Sequence, residues 1–266
     1  MMRATVRTLI TLLCGLATAG CRGDALRTIV VGVPTTLQDS GLIDVLIPAF
    51  GRAHPEWRVR FVAAGSGELL SLGRRGDLDV LLAHAPRAER EFMEAGHGLE
   101  RRPVMENDFV IVGRESDPAG IRGMTDAAEA LSRIADSGEL FLSRGDESGT
   151  HRKELELRGG RDPGSGYREM GQGMGAVLRA ASDRGAYTIA DRATFTALAS
   201  TLELDLLVEG DPRLRNVYSV IVVADARAPE GALAFAKWLT SDDGEAVITD
   251  YGVERFGHPL YRPVAQ

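Results

Sequence analysis

The decapeptide LSRGDESGTH, residues 142–151, packs an arginine, two acids, three hydroxyl side chains, two glycines and a histidine into ten positions. A short apolar run precedes it and a helical pattern follows, so the sequence predicts a strand-to-helix turn. The free N–H groups and the positive dipole end of a helix start attract anions. Arg144, Ser148 and Thr150 add donors, and Gly149 allows close backbone approach. The turn therefore predicts an oxyanion site.

Two other turns carry the same chemistry. Thr35 and Thr36 follow a buried-strand pattern over residues 27–33, and Ser66 lies in a GSG turn after an alternating strand over residues 57–64. In open α/β sheets, ligands bind beyond the carboxyl ends of the strands. We therefore expect the three turns to converge into a cage of donors for a small tetrahedral oxyanion. Hydrogen bonds to a charged group contribute about 1.5–3 kcal/mol each, so such a cage needs no metal.

The start of the helix after the decapeptide is unusual in charge. His151, Arg152 and Lys153 stand where acids are normally favoured, since the helix dipole is positive there. A bound anion would offset these charges. A solvated basic patch on an ordinary helix explains them equally well.

Asp146 has two possible uses. Phosphate carries a proton near neutral pH and needs an acceptor, which Asp146 could supply. For a bare oxyanion such as tungstate, Asp146 would instead pair with Arg144 and hold its orientation. The sequence leaves both uses open.

The sequence supports an enzyme or a dinucleotide-binding protein less well than it supports an oxyanion-binding protein. Ser148 and His151 lie three residues apart but have neither a nucleophile elbow nor a third orienting group. GQGMGA, residues 171–176, matches a dinucleotide fingerprint but follows no buried strand. We expect these glycines to begin a helix close to the cleft, where Met174 or a backbone amide could approach the ligand. Tyr187 is expected either in the core or in the cleft lining.

The other histidines stand singly, without metal-ligand spacing. We therefore expect neither a metal site nor a cofactor, and no catalytic residues.

Strand and helix patterns alternate along the chain, which favours an α/β architecture with mostly parallel sheets. Strands predicted over residues 107–113 and 216–224 bracket a middle section with its own alternation. The simplest arrangement is two α/β lobes joined by two crossover strands. On this interpretation the first lobe comprises residues 26–112 and 219–266, the second lobe comprises residues 113–218, and the hinge lies at the crossings near 112–115 and 215–218.

Residues 1–21 read as an export signal: two arginines, a short apolar core and then ATAGC. Cys21 stands where a bacterial lipoprotein would be cleaved and lipidated; ordinary cleavage nearby is the alternative. The only other cysteine, Cys14, lies inside this leader, so the mature chain has no internal disulfide. Removing Arg3 and Arg7 leaves 29 basic against 38 acidic side chains, which argues against a nucleic-acid partner.

Seven segments together resemble one family, the tungstate-binding (TupA) proteins of bacterial ABC importers: SRGDESGTHRKE, TLQDSGLIDVLIPAF, LGRRGDLDVLLAH, RRPVMENDFVIVG, GQGMGAVLRAA, AYTIADRATF and LLVEGDPRLRNVYSVI. The resemblance covers about residues 28–262. It implies a type II periplasmic-binding-protein fold, capture of tungstate or molybdate between two lobes, and delivery to an ABC permease in the inner membrane. It also implies a periplasmic or extracytoplasmic protein, which we expect to be a monomer.

Carried over by motif, the family's hydroxyl pair falls on Thr35 and Thr36, and its GTG loop falls on residues 65–67, with Ser66 keeping the hydroxyl. The arginine and SGT turn fall on Arg144 and residues 148–150. Val33, Pro34 and Leu37 replace threonines or serines common in the family, so the first turn is less polar than usual. The alternatives are a phosphate, molybdate or sulfate binding protein, or a periplasmic oxyanion-sensing module that uses the same cleft.

Overall fold

The computed structural model describes residues 27–264, so the predicted leader and Cys21 lie outside the described residues. Ten strands are present: β1 Arg27–Pro34, β2 Trp57–Ala64, β3 Val80–Ala83, β4 Gly98–Gly113, β5 Phe141–Ser143, β6 Tyr167–Glu169, β7 Thr188–Asp191, β8 Asp205–Val208, β9 Arg215–Val223 and β10 Arg262–Pro263. Eleven α-helices are present in the same range: α1 Thr35–Asp39, α2 Ile43–Ala53, α3 Ser66–Arg74, α4 Pro86–Glu94, α5 Ala127–Ser137, α6 Gly149–Arg158, α7 Met174–Arg184, α8 Arg192–Leu198, α9 Pro229–Leu239, α10 Asp242–Asp250 and α11 Val253–Phe256.

The central sheet is mixed. Along its main path the strands are ordered β10-β4-β9-β3-β1-β2, and β7 and β8 also pair with β4. The expected parallel pairing occurs between β1 and β2, β1 and β3, and β5 and β6. In contrast, β4 pairs antiparallel with β7, β8, β9 and β10. The expectation of mostly parallel sheets therefore needs this correction: β4 and β9 carry the chain between the lobes in opposite directions, so they lie antiparallel.

β4 begins nine residues before the strand predicted from residue 107. Charged side chains and Pro103 hide this early half, because proline cannot donate to a strand ladder. The pairing of β4 with β9 shifts register between Pro103 and Met105, so the proline is accommodated at an irregularity.

Four hydrophobic clusters divide between two lobes. In the first lobe, Phe50 and Trp238 belong to one cluster, while Leu69 and Phe92 belong to a second. In the second lobe, residues 109–112 of β4 alternate between two further clusters, which include residues of α5 and α7 respectively. Each lobe thus has helices on both faces of its sheet, as expected for a type II periplasmic-binding-protein fold.

Core membership along β4 changes over a short distance. Met105 belongs to a cluster of the first lobe, whereas Phe109 belongs to a cluster of the second. Within residues 27–264, no helix is both long and apolar enough to cross a membrane.

Candidate functional site

The three hydroxyl-bearing turns lie side by side at the junction of the lobes. Arg144 Nη2 donates to Thr35 Oγ1 at 3.1 Å, which joins the second lobe to the start of α1. A methyl group on Gly65 would lie 3.4 Å from Ser148 Cβ, so the turn before α3 touches the turn before α6. All seven candidate residues lie in this one region: Thr35, Thr36, Ser66, Arg144, Ser148, Gly149 and Thr150.

Gly149 is required by the close approach of the lobes. A methyl group at this position would lie 2.4 Å from the carbonyl oxygen of His84. The His84 amide in turn donates to Ser66 Oγ at 3.3 Å. The glycine therefore lets the start of α6 pack directly against the turn that follows β3.

Arg144 is a buried cation whose guanidinium group has one nitrogen without a hydrogen-bond partner among the described residues. Its side chain is 1% exposed, and its Nε donates to Asp146 Oδ2 at 3.0 Å. Its Nη2 donates to Asp146 and to Thr35. Among the described residues, Nη1 has no hydrogen-bond partner, although it is buried. A buried guanidinium donor without an acceptor is costly, so this atom points to a ligand.

Four hydroxyls of the turns retain a proton to give. Ser148 Oγ accepts from His151 N, Ser66 Oγ accepts from His84 N, and Thr35 Oγ1 accepts from Arg144. Each of these hydroxyls is therefore free to donate. Thr150 Oγ1 is buried, and it has no partner in the part of the chain that the structure describes. No side chain caps the starts of α1 and α3, so their first amides are also available.

Asp146 has both carboxylate oxygens occupied. Oδ2 accepts from Arg144, and Oδ1 accepts from Ser148 N at 3.2 Å. The aspartate therefore holds the arginine and the turn in place, as expected for a bare-oxyanion site. Three hydrogen bonds thus fill most of the about four acceptor positions of this carboxylate before any ligand binds.

The hydroxyl of Thr36 is used differently from the other four. It lies 3.0 Å from the Tyr218 hydroxyl, which donates its single proton to Asp191 Oδ2 at 2.6 Å. A carboxylate only accepts, so Thr36 must be the donor to Tyr218. The sequence suggested Thr36 as a hydroxyl donor to a ligand; in this arrangement only its main-chain N–H remains for that role.

Asp191 is the centre of a buried network at the crossing strands. Its oxygens accept from Asn107 Nδ2 and Asn216 Nδ2, both at 2.9 Å, from Tyr218, and from Thr194 N at 3.0 Å. Burial raises the pKa of Asp191, and these hydrogen bonds act in the opposite direction. Since the neighbours all donate, the geometry satisfies the ionised form. The network connects β4, β9 and the start of α8.

His84 packs against the same network. Its ring stacks on Tyr218 with centroids 4.7 Å apart, and Nδ1 lies 2.9 Å from Asn216 Oδ1. The pKa of His84 is lowered to about 4, mainly by burial and to a smaller extent by the Arg144 charge, while the Asn216 hydrogen bond acts in the opposite direction. The ring is therefore neutral at physiological pH.

The cations at the start of α6 have local partners. Arg152 lies 3.0 Å from Glu147, and Lys153 lies 2.9 Å from Glu156. Glu147 N donates to the His151 ring at 3.2 Å. These contacts neutralise the charge that the sequence suggested a ligand would offset, so that charge pattern is weak support for an anion.

The structure bears on three other hypotheses from the sequence: a nucleophile at Ser148, and cleft positions for Met174 and Tyr187. Ser148 contacts the main chain of His151 and not its ring, so the geometry does not favour a serine nucleophile. Met174 is fully buried in a core cluster. Tyr187 is likewise in a core cluster, with its hydroxyl donating to Asp117. In residues 27–264, no three histidine, cysteine or acidic side chains are grouped to hold a metal ion.

Comparison with known proteins supports this fold and shows the family of the chain. The model of the PBP superfamily domain matches residues 22–243. The tungstate-binding protein TupA of Peptoclostridium acidaminophilum is 42% identical over 247 residues, which cover 90% of this chain and 86% of that protein. The chain belongs to the TupA family of the PBP superfamily.

Two solved structures extend the comparison. The crystal structure described as the tungstate ABC transporter from Geobacter sulfurreducens is 42% identical, with a TM-score of 0.76 over 84% of this chain and 98% of that chain. The tungstate-binding protein TupA from Desulfovibrio alaskensis G20 is 38% identical, with a TM-score of 0.73 over 90% of this chain and 100% of that chain. The type II fold expected from the sequence is thereby confirmed.

Several residues of the site carried no readable signal in the sequence. Three of them stand in or next to strands: His84 directly after β3, Asp191 at the end of β7 and Tyr218 within β9. In the sequence they resemble ordinary core or cap residues. Asn107 and Asn216 also looked unremarkable, because their shared partner is distant in the chain. Only their convergence in the fold reveals them.

Proposed function

We propose that this chain is the extracytoplasmic substrate-binding component of an ABC transporter and that it captures tungstate between its lobes. The ligand would then be delivered to a membrane permease. The names of the relatives support this assignment, since they are tungstate-binding proteins and a tungstate ABC transporter. No bond chemistry is involved.

One observation carries the proposal: the cleft holds donors that lack acceptors, while its acid is already used. Arg144 Nη1 and Thr150 Oγ1 are buried without partners among the described residues. Asp146 is engaged by Arg144 and by the amide of Ser148. Such a site suits an ion that only accepts hydrogen bonds, as tungstate does at neutral pH.

Capture would be a hinge motion of the two lobes. Core membership changes between Met105 and Phe109, so we place the hinge on β4 at residues 106–108. On β9 it lies at residues 215–217, which pair with that part of β4. On the first strand this is a few residues before the position inferred from the sequence. A ligand that bridges both lobes would stabilise the closed form.

The remaining parts of the proposal concern location and assembly. The leader over residues 1–21 supports export, and Cys21 is the proposed lipid attachment site. We propose that the mature protein acts as a monomer facing the permease.

Calorimetric titration of the protein with tungstate, molybdate, sulfate and phosphate tests the assignment. We expect tungstate and molybdate to bind below micromolar concentration. Phosphate should bind about tenfold to a hundredfold more weakly, because most acceptor positions of Asp146 are already taken and its proton would be poorly satisfied. Tighter binding of phosphate than of tungstate would contradict the proposal, and so would an absence of binding at micromolar levels.

Arg144→Ala and Arg144→Lys locate the site. The alanine variant loses several charged hydrogen bonds and should weaken tungstate binding by at least about a hundredfold. The lysine variant keeps the charge but loses the planar fork, so it should recover only part of this loss. Arg161→Ala, which removes an exposed arginine that bonds Ser132 in the second lobe, is the control and should bind normally. Equal binding by all three variants would place the ligand elsewhere.

A further inference from the structure

A contact between the lobes lies beside the oxyanion turns and involves none of the seven candidate residues. Helix α7, in the second lobe, begins after Gly173, which has no side chain to cap the helix. The missing acceptor comes from the first lobe. Gly175 N donates to Asp39 Oδ2 at 2.9 Å across 136 residues of sequence. Asp39 is the last residue of α1, so it caps α7 from the opposite lobe.

The fit between these two residues is close. A methyl group on Gly175 would lie 3.2 Å from Cγ and from both oxygens of Asp39. The carboxylate is therefore packed against the glycine backbone, and a methyl group at residue 175 would push it back by a few tenths of an ångström. This accounts for Gly175, the last glycine of GQGMG, which the site itself does not explain.

The same contact sets the position of the site. Asp39 ends the helix that Thr35 begins, and a methyl group on Gly173 would lie 3.6 Å from Thr35. Holding α7 against α1 thus holds Thr35 near Arg144 of the second lobe. The carboxylate also occupies the positive end of α7, where an anion would otherwise bind.

We propose that Asp39 is a positioning residue that latches the closed lobes by capping α7 at Gly175, without touching the ligand. A contact made only in the closed form raises the closed population and thereby the apparent affinity. The effect on affinity rests on the proposed oxyanion function; the latch itself does not.

Amide hydrogen exchange of the ligand-free protein tests the latch directly. Gly175 N lies in the first turn of α7 and has no intrahelical acceptor, so its protection depends on Asp39. We expect Asp39→Ala to speed exchange of this amide by about tenfold, and Asp39→Asn, which keeps an acceptor oxygen, to restore part of the protection. Unchanged protection of Gly175 in Asp39→Ala would overturn the proposal.

Tungstate dissociation, measured by stopped-flow displacement, tests the consequence. Asp39→Ala should release the ligand about tenfold faster, because one hydrogen bond to a charged group is lost. Gly175→Ala keeps the amide but pushes the carboxylate back, so it should change the rate in the same direction by a smaller factor. The double variant should release the ligand no faster than Asp39→Ala alone, since both changes act on one contact. Asp44→Asn, which removes an exposed charge from the same lobe, should dissociate like the wild type. Additive effects, or equal rates for the variants of Asp39 and Asp44, would refute the latch.

The experiments distinguish failure of the proposed function from failure of the latch. If the wild-type protein binds no oxyanion, the proposed function is wrong, and the exchange of Gly175 still decides whether the latch exists. Circular dichroism of each variant confirms that it is folded.

Discussion

Proton direction decides what each hydroxyl of the site can do. Thr35 and Thr36 are adjacent and chemically identical, yet their neighbours assign them different roles. Thr35 accepts from Arg144 and keeps its proton for the cleft. Thr36 gives its proton to Tyr218, because the proton of Tyr218 is taken by Asp191. Which of the two hydroxyls can donate to a ligand is therefore set by protein groups that do not themselves contact the ligand.

The same substitution at these two positions should therefore give different results. Thr35→Val should weaken tungstate binding by about tenfold, since it removes one donor to a charged ligand. Thr36→Val should change binding less than about threefold but lower the free energy of unfolding by about 1 kcal/mol, because Tyr218 loses a buried partner. Titration calorimetry and urea unfolding measure the two effects. Stronger loss of binding in Thr36→Val would show that its hydroxyl does serve the ligand.

At the scale of elements, the junction of β3, β4 and β9 is held by polar groups. His84 follows β3 directly, stacks on Tyr218 of β9 and approaches Phe109 of β4 at 6.1 Å between ring centroids. Asp191, at the end of β7, binds Asn107 on β4 and Asn216 on β9. Directional hydrogen bonds at this junction favour one defined arrangement of the strands more than apolar packing would.

The burial of neutral His84 predicts that the free energy of unfolding decreases in acid. The pKa of His84 is about 4 in the fold against 6.5 in the unfolded chain, so the unfolded state binds the proton more readily. The stability from neutral His84 is complete above pH 6.5 and is lost as the pH falls from 6.5 towards 4, on the order of 3 kcal/mol in all. Urea unfolding across this range should show a flatter pH dependence for His84→Gln than for the wild type. His258→Gln, which alters an exposed histidine, should retain the wild-type slope.

At the scale of the whole molecule, the two lobes are joined by the paired strands β4 and β9 and by contacts around the cleft, several of which are polar. The Arg144–Thr35 contact, the Asp39–Gly175 contact and the Asp191 network all lie at this junction, where the proposed ligand would bind. Binding to the folded protein alone therefore stabilises the entire chain by mass action.

We expect a corresponding thermal shift. Tungstate at a hundred times its dissociation constant adds about 2.7 kcal/mol, which raises the melting temperature of a chain of this size by about 5–10 °C. Differential scanning fluorimetry measures it. Perchlorate, a tetrahedral anion with a single charge, should produce a much smaller shift, and Arg144→Ala should show none with tungstate at the same concentration. A comparable shift with perchlorate would mean that the site does not distinguish a doubly charged from a singly charged anion.

The sequence by itself determined the parts of this protein that are local. Strand-to-helix turns and helix starts depend on residues a few positions apart, so they were predictable from spacing and residue type. The Arg144–Asp146 pair is equally local, and it was one of the two uses of Asp146 that the sequence left open. The family resemblance placed the same residues and implied the fold.

Only the tertiary structure decided the rest. The proton of Thr36 points to Tyr218, 182 residues away, and Asp39 caps a helix 136 residues away. A hydroxyl or carboxylate can serve many partners, and its actual partner is whichever group the packed chain brings within about 3 Å. No local pattern contains that distance, so these roles became visible only when both lobes were folded together.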